Sequence, residues 1–317
     1  MSGDGISIIV PFLNEKDVIV SFCKAIDDYA KEMNFDMEVV FVDDGSIDGT
    51  GKMICDYTFS SIYCVKLITL SKNYGVDSAI RAGIANATYD ICTWVGCDLQ
   101  DPLELIEIGY NKIRLEKFDA VYIDRANYTR GKLINNFCSN LFTWLIQKIA
   151  INNYSSGGIN TVVFNKKVKD FLNSNVEANS EIVSQIIDIG FKHCSISMNY
   201  NCRLKGSSKW TLPKKIKYAI DMVVSFSFVP IRLVSIVGIG MFIIGLIIGL
   251  LTIVNKIIEP EVPLGYSTLT SILSLGFGIT NISLGIIAEY LWRTFDVARR
   301  RPVYCISEVS VIKDINC

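Results

Sequence analysis

Through about residue 125, short apolar runs alternate with longer stretches whose apolar residues recur at helical spacing. Ile6–Val10 is a β-branched run closed by Pro11, the pattern of a buried parallel strand. Val18, Phe22, Ile26 and Tyr29 then share one helical face and predict a helix to about Met33. Glu38–Val42, Val65–Leu70, Ile91–Val95 and Ala120–Ile123 predict four further strands, with helices over Ala79–Ala87 and Leu103–Arg114. Strand alternating with helix over this length predicts an α/β domain with a doubly wound, mostly parallel sheet. No G-x-G-x-x-G follows the first strand, which disfavours a dinucleotide-binding fold.

The pattern then changes. Residues 131–150 are amphipathic and aromatic and predict a helix packed near a membrane. A loop over Asn152–Gly158, a strand at Thr161–Phe164, a helix at Glu181–Ile189 and an edge strand at Cys194–Tyr200 follow. Pro213–Phe228, basic at its start and apolar later, predicts an interfacial helix. Leu233–Asn255 and Val262–Ala288 carry no charged residue, and each exceeds the roughly 20 residues that cross a bilayer core. The expected organisation is a catalytic domain over 1–210, an interfacial helix over 211–230, a two-helix transmembrane anchor over 231–292 and a tail over 293–317. Lys214, Lys215, Lys217 and Arg232 precede the first span, and Arg293, Arg299, Arg300 and Arg301 follow the second. The connecting loop holds only Lys256 against Glu259 and Glu261. This asymmetry predicts a multi-pass protein of the inner (plasma) membrane with both termini cytoplasmic. No cleavable signal peptide is visible at the N-terminus. Gly245 and Gly249 form a G-x-x-x-G, a weak hint of helix packing or homo-oligomerisation.

Composition adds constraints. The formal net charge of −1 gives no field that would draw nucleic acid. Ten cysteines are scattered without a C-x-x-C pair, so reduced core thiols are expected. The single histidine, His193, sits at a strand start and reads as structural.

Candidate chemistry gathers at strand ends. The fourth strand runs into Gly96-Cys97-Asp98-Leu99-Gln100-Asp101-Pro102. Ligands of open α/β sheets bind beyond the carboxyl ends of strands. The hard oxygens of Asp98 and Gln100 suit Mg²⁺ or Mn²⁺, which suit a phosphate-bearing substrate. Asp101 reads as a helix N-cap before Pro102 at N1. The second strand ends in Asp43-Asp44-Gly45-Ser46, a pocket for nucleotide hydroxyls or an ordinary strand-turn-helix cap. Arg203 and Lys209, in a basic Gly/Ser loop, offer a fork and a point charge for phosphate, or generic attraction to anionic headgroups.

In combination, these motifs resemble the family-2 inverting glycosyltransferases that use polyisoprenyl-phosphate acceptors, the bactoprenol glucosyltransferases and dolichol-phosphate mannose synthases. The carrying segments are Val10–Glu15, Val42–Thr50, Leu70–Gly75, Asp98–Pro102, Arg203–Trp210, Ser225–Ser227 with Pro230–Leu233, and Glu289–Leu291 with Arg293-Thr294 and Arg301-Pro302. The resemblance implies a GT-A (Rossmann-like) domain on the cytoplasmic face, moving a sugar from a nucleotide-sugar donor to a lipid phosphate. It implies that Pro11, Asn14, Glu15 and Asp43, with Asp44 beside it, hold the nucleotide, and that Lys72 lies near the donor. Asp98 and Gln100 would hold the metal, and Arg203 and Lys209 would contact phosphates. Gly96 stands where the family's D-x-D has its first carboxylate, which implies weaker metal binding. Ser155–Thr161 lacks the acid that the family carries in mid-chain.

Overall fold

The computed structural model describes residues 4–60, 63–126, 159–177, 180–200, 266–299 and 301–313, with isolated positions between 236 and 258. Two compact units divide it, one of residues 1–222 with 302–317 and one of residues 223–301.

The first unit is built on eight strands: β1 (Gly5–Phe12), β2 (Asp36–Asp43), β3 (Cys64–Leu70), β4 (Ile91–Trp94), β5 (Ala120–Arg125), β6 (Ile159–Phe164), β7 (His193–Met198) and β8 (Ile306–Lys313). They form one sheet in the order β7-β5-β6-β4-β1-β2-β3-β8. β1 pairs in parallel with β2 and β4, β2 with β3, and β5 with β7. β6 enters antiparallel between β4 and β5, and β8 closes the β3 edge antiparallel. The sheet is α/β and mostly parallel, as its sequence periodicity predicts.

Helices cover both faces. On one, Ile6, Ile8 and Val10 pack with Ile19, Phe22 and Ile26 of α1 (Ile19–Glu32), Ile54 of α2 (Thr50–Cys55), and Leu105, Ile106 and Ile113 of α4 (Glu104–Glu116). On the other lies α3 (Val76–Asn86), where Gly83 meets Ile9 so closely that no Cβ fits. Helices α5 (Lys166–Ser174) and α6 (Ile182–Ile189) follow β6. Burial on two faces explains why β1 and β2 read as nearly continuous apolar runs.

Three local readings are corrected. Asp101 does not cap α4, whose N-cap is Leu103 without a side-chain bond. Its carboxylate turns back instead and accepts from the Gly96 N–H at 2.8 Å. Cys64 is disulfide-bonded, while the other described cysteines are free. The stretch expected as a tail contains β8, a strand of the sheet itself. His193 opens β7, its Nδ1 lying 2.9 Å from the Phe191 carbonyl oxygen.

The second unit is described chiefly by α7 (Tyr266–Ala298). Among the described residues no helix is long and apolar enough to cross a membrane, so the predicted spans are not seen as such. Serine, threonine, asparagine and glycine interrupt the apolar run of α7, and Glu289, Arg293 and Asp296 follow it. The first predicted span, the interfacial helix, Gly245 and Gly249, and the basic loop with Arg203 and Lys209 lie outside the described residues, apart from isolated positions of the first span.

Candidate active site

Parallel strands leave their carboxyl ends on one edge, and a cleft of about 320 Å³ opens there. Its walls come from the end of β1 (Pro11, Phe12, Leu13, Glu15), the end of β2 (Asp44), the loop into α3 with its first turn (Asn73, Gly75, Val76, Ala79) and the turn after β4 (Gly96, Cys97, Asp98). The topology gathers four segments far apart in sequence at the place where ligands of open α/β sheets bind.

The acidic groups here have different settings. Asp44 is buried, and its carboxylate accepts from the backbone N–H groups of Tyr74 at 2.7 Å and Gly75 at 2.9 Å. Burial pushes its pKa up, the two N–H groups pull it down, and neighbouring Asp43 adds to the rise. Asp44 thus clamps the loop after β3 onto the end of β2 while still lining the cleft. Asp43 accepts from the Ser46 N–H at 2.7 Å and shapes the turn rather than the cleft wall. Gly45 makes that turn possible. Its φ is +80°, and a Cβ would stand 2.7 Å from the Lys72 backbone, a conformation open to glycine at little cost.

Asn14 joins the same turn. Its side-chain oxygen accepts from the Ile47 N–H at 2.9 Å, and its own N–H donates to Ser46 Oγ at 2.9 Å. Glu15 donates its N–H to Thr50 Oγ1 at 3.1 Å and lines the cleft. Lys72 lies 5.0 Å from the centre of the Tyr74 ring.

The turn after β4 is tight. Asp98 Oδ1 accepts from the Gln100 N–H at 3.3 Å, and Leu99 between them has φ of 55°. A leucine in the left-handed region costs about 1 kcal/mol or more, and such strain clusters at ligand sites. A Cβ on Gly96 would stand 3.1 Å from Asp98 Oδ1 and 3.3 Å from Asp101 Oδ2. Two carboxylates therefore flank the position where a further acid is missing.

Of the residues singled out by sequence, Pro11, Glu15, Asp44 and Asp98 line the cleft. Asn14, Asp43, Lys72 and Gln100 belong to the loops around it without lining it. Sequence reasoning missed Asn73, Val76 and Ala79 as wall residues. The small residues of α3 were the available signal, since they permit close approach.

Residues 7–168, about half of the chain, match the family described as Glycosyl transferase family 2. The chain belongs to this family. All the cleft residues named above fall within the matched segment. Among curated relatives, the chain is 28% identical to an uncharacterized glycosyltransferase of Synechocystis sp., over 96% of this chain and 95% of the relative. It is 28% identical to the prophage bactoprenol glucosyl transferase homolog of Escherichia coli, over 96% and 99% respectively. It is 26% identical to the undecaprenyl-phosphate 4-deoxy-4-formamido-L-arabinose transferase of Serratia proteamaculans, over 96% and 93%. The similarity to family-2 glycosyltransferases read from the motifs is borne out, and it extends beyond the matched domain to nearly the whole chain.

Proposed function

We propose that this family-2 glycosyltransferase moves a sugar, with inversion, from a nucleotide-diphosphate donor to a polyisoprenyl phosphate at the cytoplasmic face of a membrane. A UDP-hexose is the favoured donor. The observation that carries the reading is the cleft at the carboxyl ends of β1, β2 and β4, which sets Glu15, Asp44 and Asp98 around one space within the family-2 segment. The names of the bactoprenol and undecaprenyl-phosphate relatives support the lipid acceptor.

In this reading Pro11, Asn14, Glu15 and Asp43 hold the nucleotide, and Asp44 fixes the loop that carries Lys72 toward the diphosphate. Arg203 and Lys209 contact phosphates of donor or acceptor. The donor set fits Mg²⁺ or Mn²⁺. Asp98 supplies a hard carboxylate in the cleft, the Asp101 carboxylate stands near the same Gly96 position, and Mg²⁺ commonly takes one or two protein carboxylates with substrate phosphates and water. Among the described residues no group of three acidic, histidine or cysteine side chains is gathered for a metal, in keeping with a weaker site. The ion, when bound, neutralises charge developing on the departing diphosphate.

An acceptor phosphate monoester has a second pKa of about 6, so it attacks the anomeric carbon as a dianion. The new carbon–oxygen bond forms as the bond to the donor diphosphate breaks, and the protein need not remove a proton. What this chain supplies is orientation and a cleft that holds the two phosphates near one another.

Membrane anchorage by two spans is part of the proposal. Exposed Phe277, Ile282, Leu291 and Trp292 of α7 support it, since large apolar side chains on a helix call for lipid or protein cover. The return of the chain into the sheet as β8 supports an even number of crossings, because both ends of the anchor then meet the same domain.

Membranes carrying the full chain, given undecaprenyl phosphate and labelled sugar nucleotides, should form one labelled glycolipid, and Asp98→Ala should abolish it while the protein stays in the membrane fraction. Absence of product from every donor, with folded protein, overturns the reading. Survival of transfer in Asp98→Ala overturns the role given to Asp98.

Gly96 favours a second reading, a catalytically impaired relative that acts as a membrane scaffold or partner subunit. Donor nucleotide that gives no thermal stabilisation, with or without Mn²⁺, would support it.

A further inference from the structure

A second cavity, of about 250 Å³, opens between α3, α5 and the segment that leads into β8. It shares no lining residue with the cleft above. Ile84 and Ala85 of α3, Leu172 of α5 and Val176 make its walls mostly aliphatic. Arg81, Asn173 and Tyr304 interrupt them.

Arg81 is 4% exposed. Its Nη2 donates to Gln185 Oε1 at 2.6 Å and to the Ser180 carbonyl at 3.4 Å. Its Nη1 is buried and has no hydrogen-bond partner. A guanidinium nitrogen carries two N–H groups and stays charged at neutral pH. Leaving such a donor unsatisfied is costly, and native structures rarely do so without a reason. Among the described residues no ion pair relieves it. Asp77, one turn earlier on α3, and Glu177 act on Arg81 only through the field, and the Asp77 carboxylate accepts from the Ile182 N–H at 3.3 Å. Burial lowers the Arg81 pKa, and Asp77, Glu177 and Tyr304 work against that. Tyr304 lines the same cavity and brings a hydroxyl able to donate.

We propose that this cavity binds a compact oxyanion bearing a short aliphatic group, with the Arg81 guanidinium and the Tyr304 hydroxyl donating to a carboxylate or phosphate oxygen and the aliphatic part lying against Ile84, Leu172 and Val176. The volume far exceeds the roughly 30 Å³ share of one water. A single buried cation beside an aliphatic wall matches an amphiphilic anion better than a hydrated inorganic one. The site does not depend on the transfer reaction, and α3 supplies it from a later turn than the one that lines the donor cleft.

The test uses the purified full chain in detergent, with butyrate, propyl phosphate and inorganic phosphate as probes and chloride at matched ionic strength as control. Thermal melting and calorimetric titration are the readouts. Butyrate or propyl phosphate should raise Tm in a dose-dependent way, and which of the two binds better identifies the headgroup. Arg81→Met should weaken binding by about tenfold or more. Because loss of a buried arginine can disturb folding, Ala85→Leu, which fills the cavity, and Tyr304→Phe serve as milder variants and should each weaken binding with folding intact. A rise equal to that with chloride, binding by inorganic phosphate alone, or unchanged affinity in both Ala85→Leu and Tyr304→Phe overturns the proposal.

Discussion

At the scale of single residues, Gly96 does two things. Its N–H ties back the Asp101 carboxylate, and its missing side chain leaves space between Asp98 and Asp101. An aspartate placed there adds a third carboxylate to two that already lie within 3.1 and 3.3 Å of its Cβ. Like charges at that range repel and disfavour ionisation of the set, whereas a divalent ion would reverse the effect. Gly96→Asp should therefore lower Tm without metal and gain more from Mn²⁺ than the parent does. Equal Mn²⁺ response in the two proteins would show that these carboxylates do not share an ion. Asp98 was legible in the sequence because it follows an apolar run at a strand end. The role of Asp101 was not, because an N-cap and a backward turn share the same Asp-Pro signature. The strained φ of Leu99 was equally hidden, since nothing about leucine announces the left-handed region.

At the scale of elements, β2 shows what a pattern of apolar residues leaves out. Glu38 lies in the strand with no exposed surface. It accepts from Ser7 Oγ at 2.6 Å and from Thr88 N and Oγ1 at 2.8 and 2.7 Å, and it pairs with Lys66 Nζ at 2.6 Å. Burial alone would raise its pKa, but Lys66, Ser7 and Thr88 outweigh burial and hold it below its usual value. A lowered carboxylate pKa stabilises the fold at pH values above the unfolded value of about 4.3, and that contribution is lost as pH falls through the folded value. Removing one partner of a buried pair costs about 3 kcal/mol or more. Lys66→Met should lower Tm at pH 7 and move the acid unfolding midpoint upward, as followed by melting curves across pH. An acid midpoint unchanged from the parent would show that the pair does not couple to stability. Sequence marks Glu38 as the start of a strand. Only the neighbouring strand β3 and the Thr88 turn show why a carboxylate is tolerated there.

At the scale of the whole molecule, the C-terminal end of the chain completes the sheet. β8 pairs antiparallel along β3 from Val65 to Leu70 and covers an edge that would otherwise present unpaired backbone groups. A chain ending at Arg301 should expose that edge and lose the Tyr304 wall of the second cavity. It should melt at lower temperature and aggregate more readily than the full chain, as measured by light scattering during a thermal ramp. A truncated chain with unchanged melting and scattering would assign β8 no stabilising role. The sequence alone determined the strand and helix alternation, the mostly parallel sheet, the family resemblance and the place of Asp98 just beyond a strand end, because periodicity and strand-end chemistry are local. Only the tertiary structure decided that β6 runs antiparallel into the sheet, that the end of the chain returns as its edge, and that Asp44 spends its carboxylate on the loop after β3. It alone placed Arg81 and Tyr304 on one cavity. Those outcomes depend on contacts between segments far apart in the chain, and local spacing carries no record of which distant segment fills a given edge or pocket.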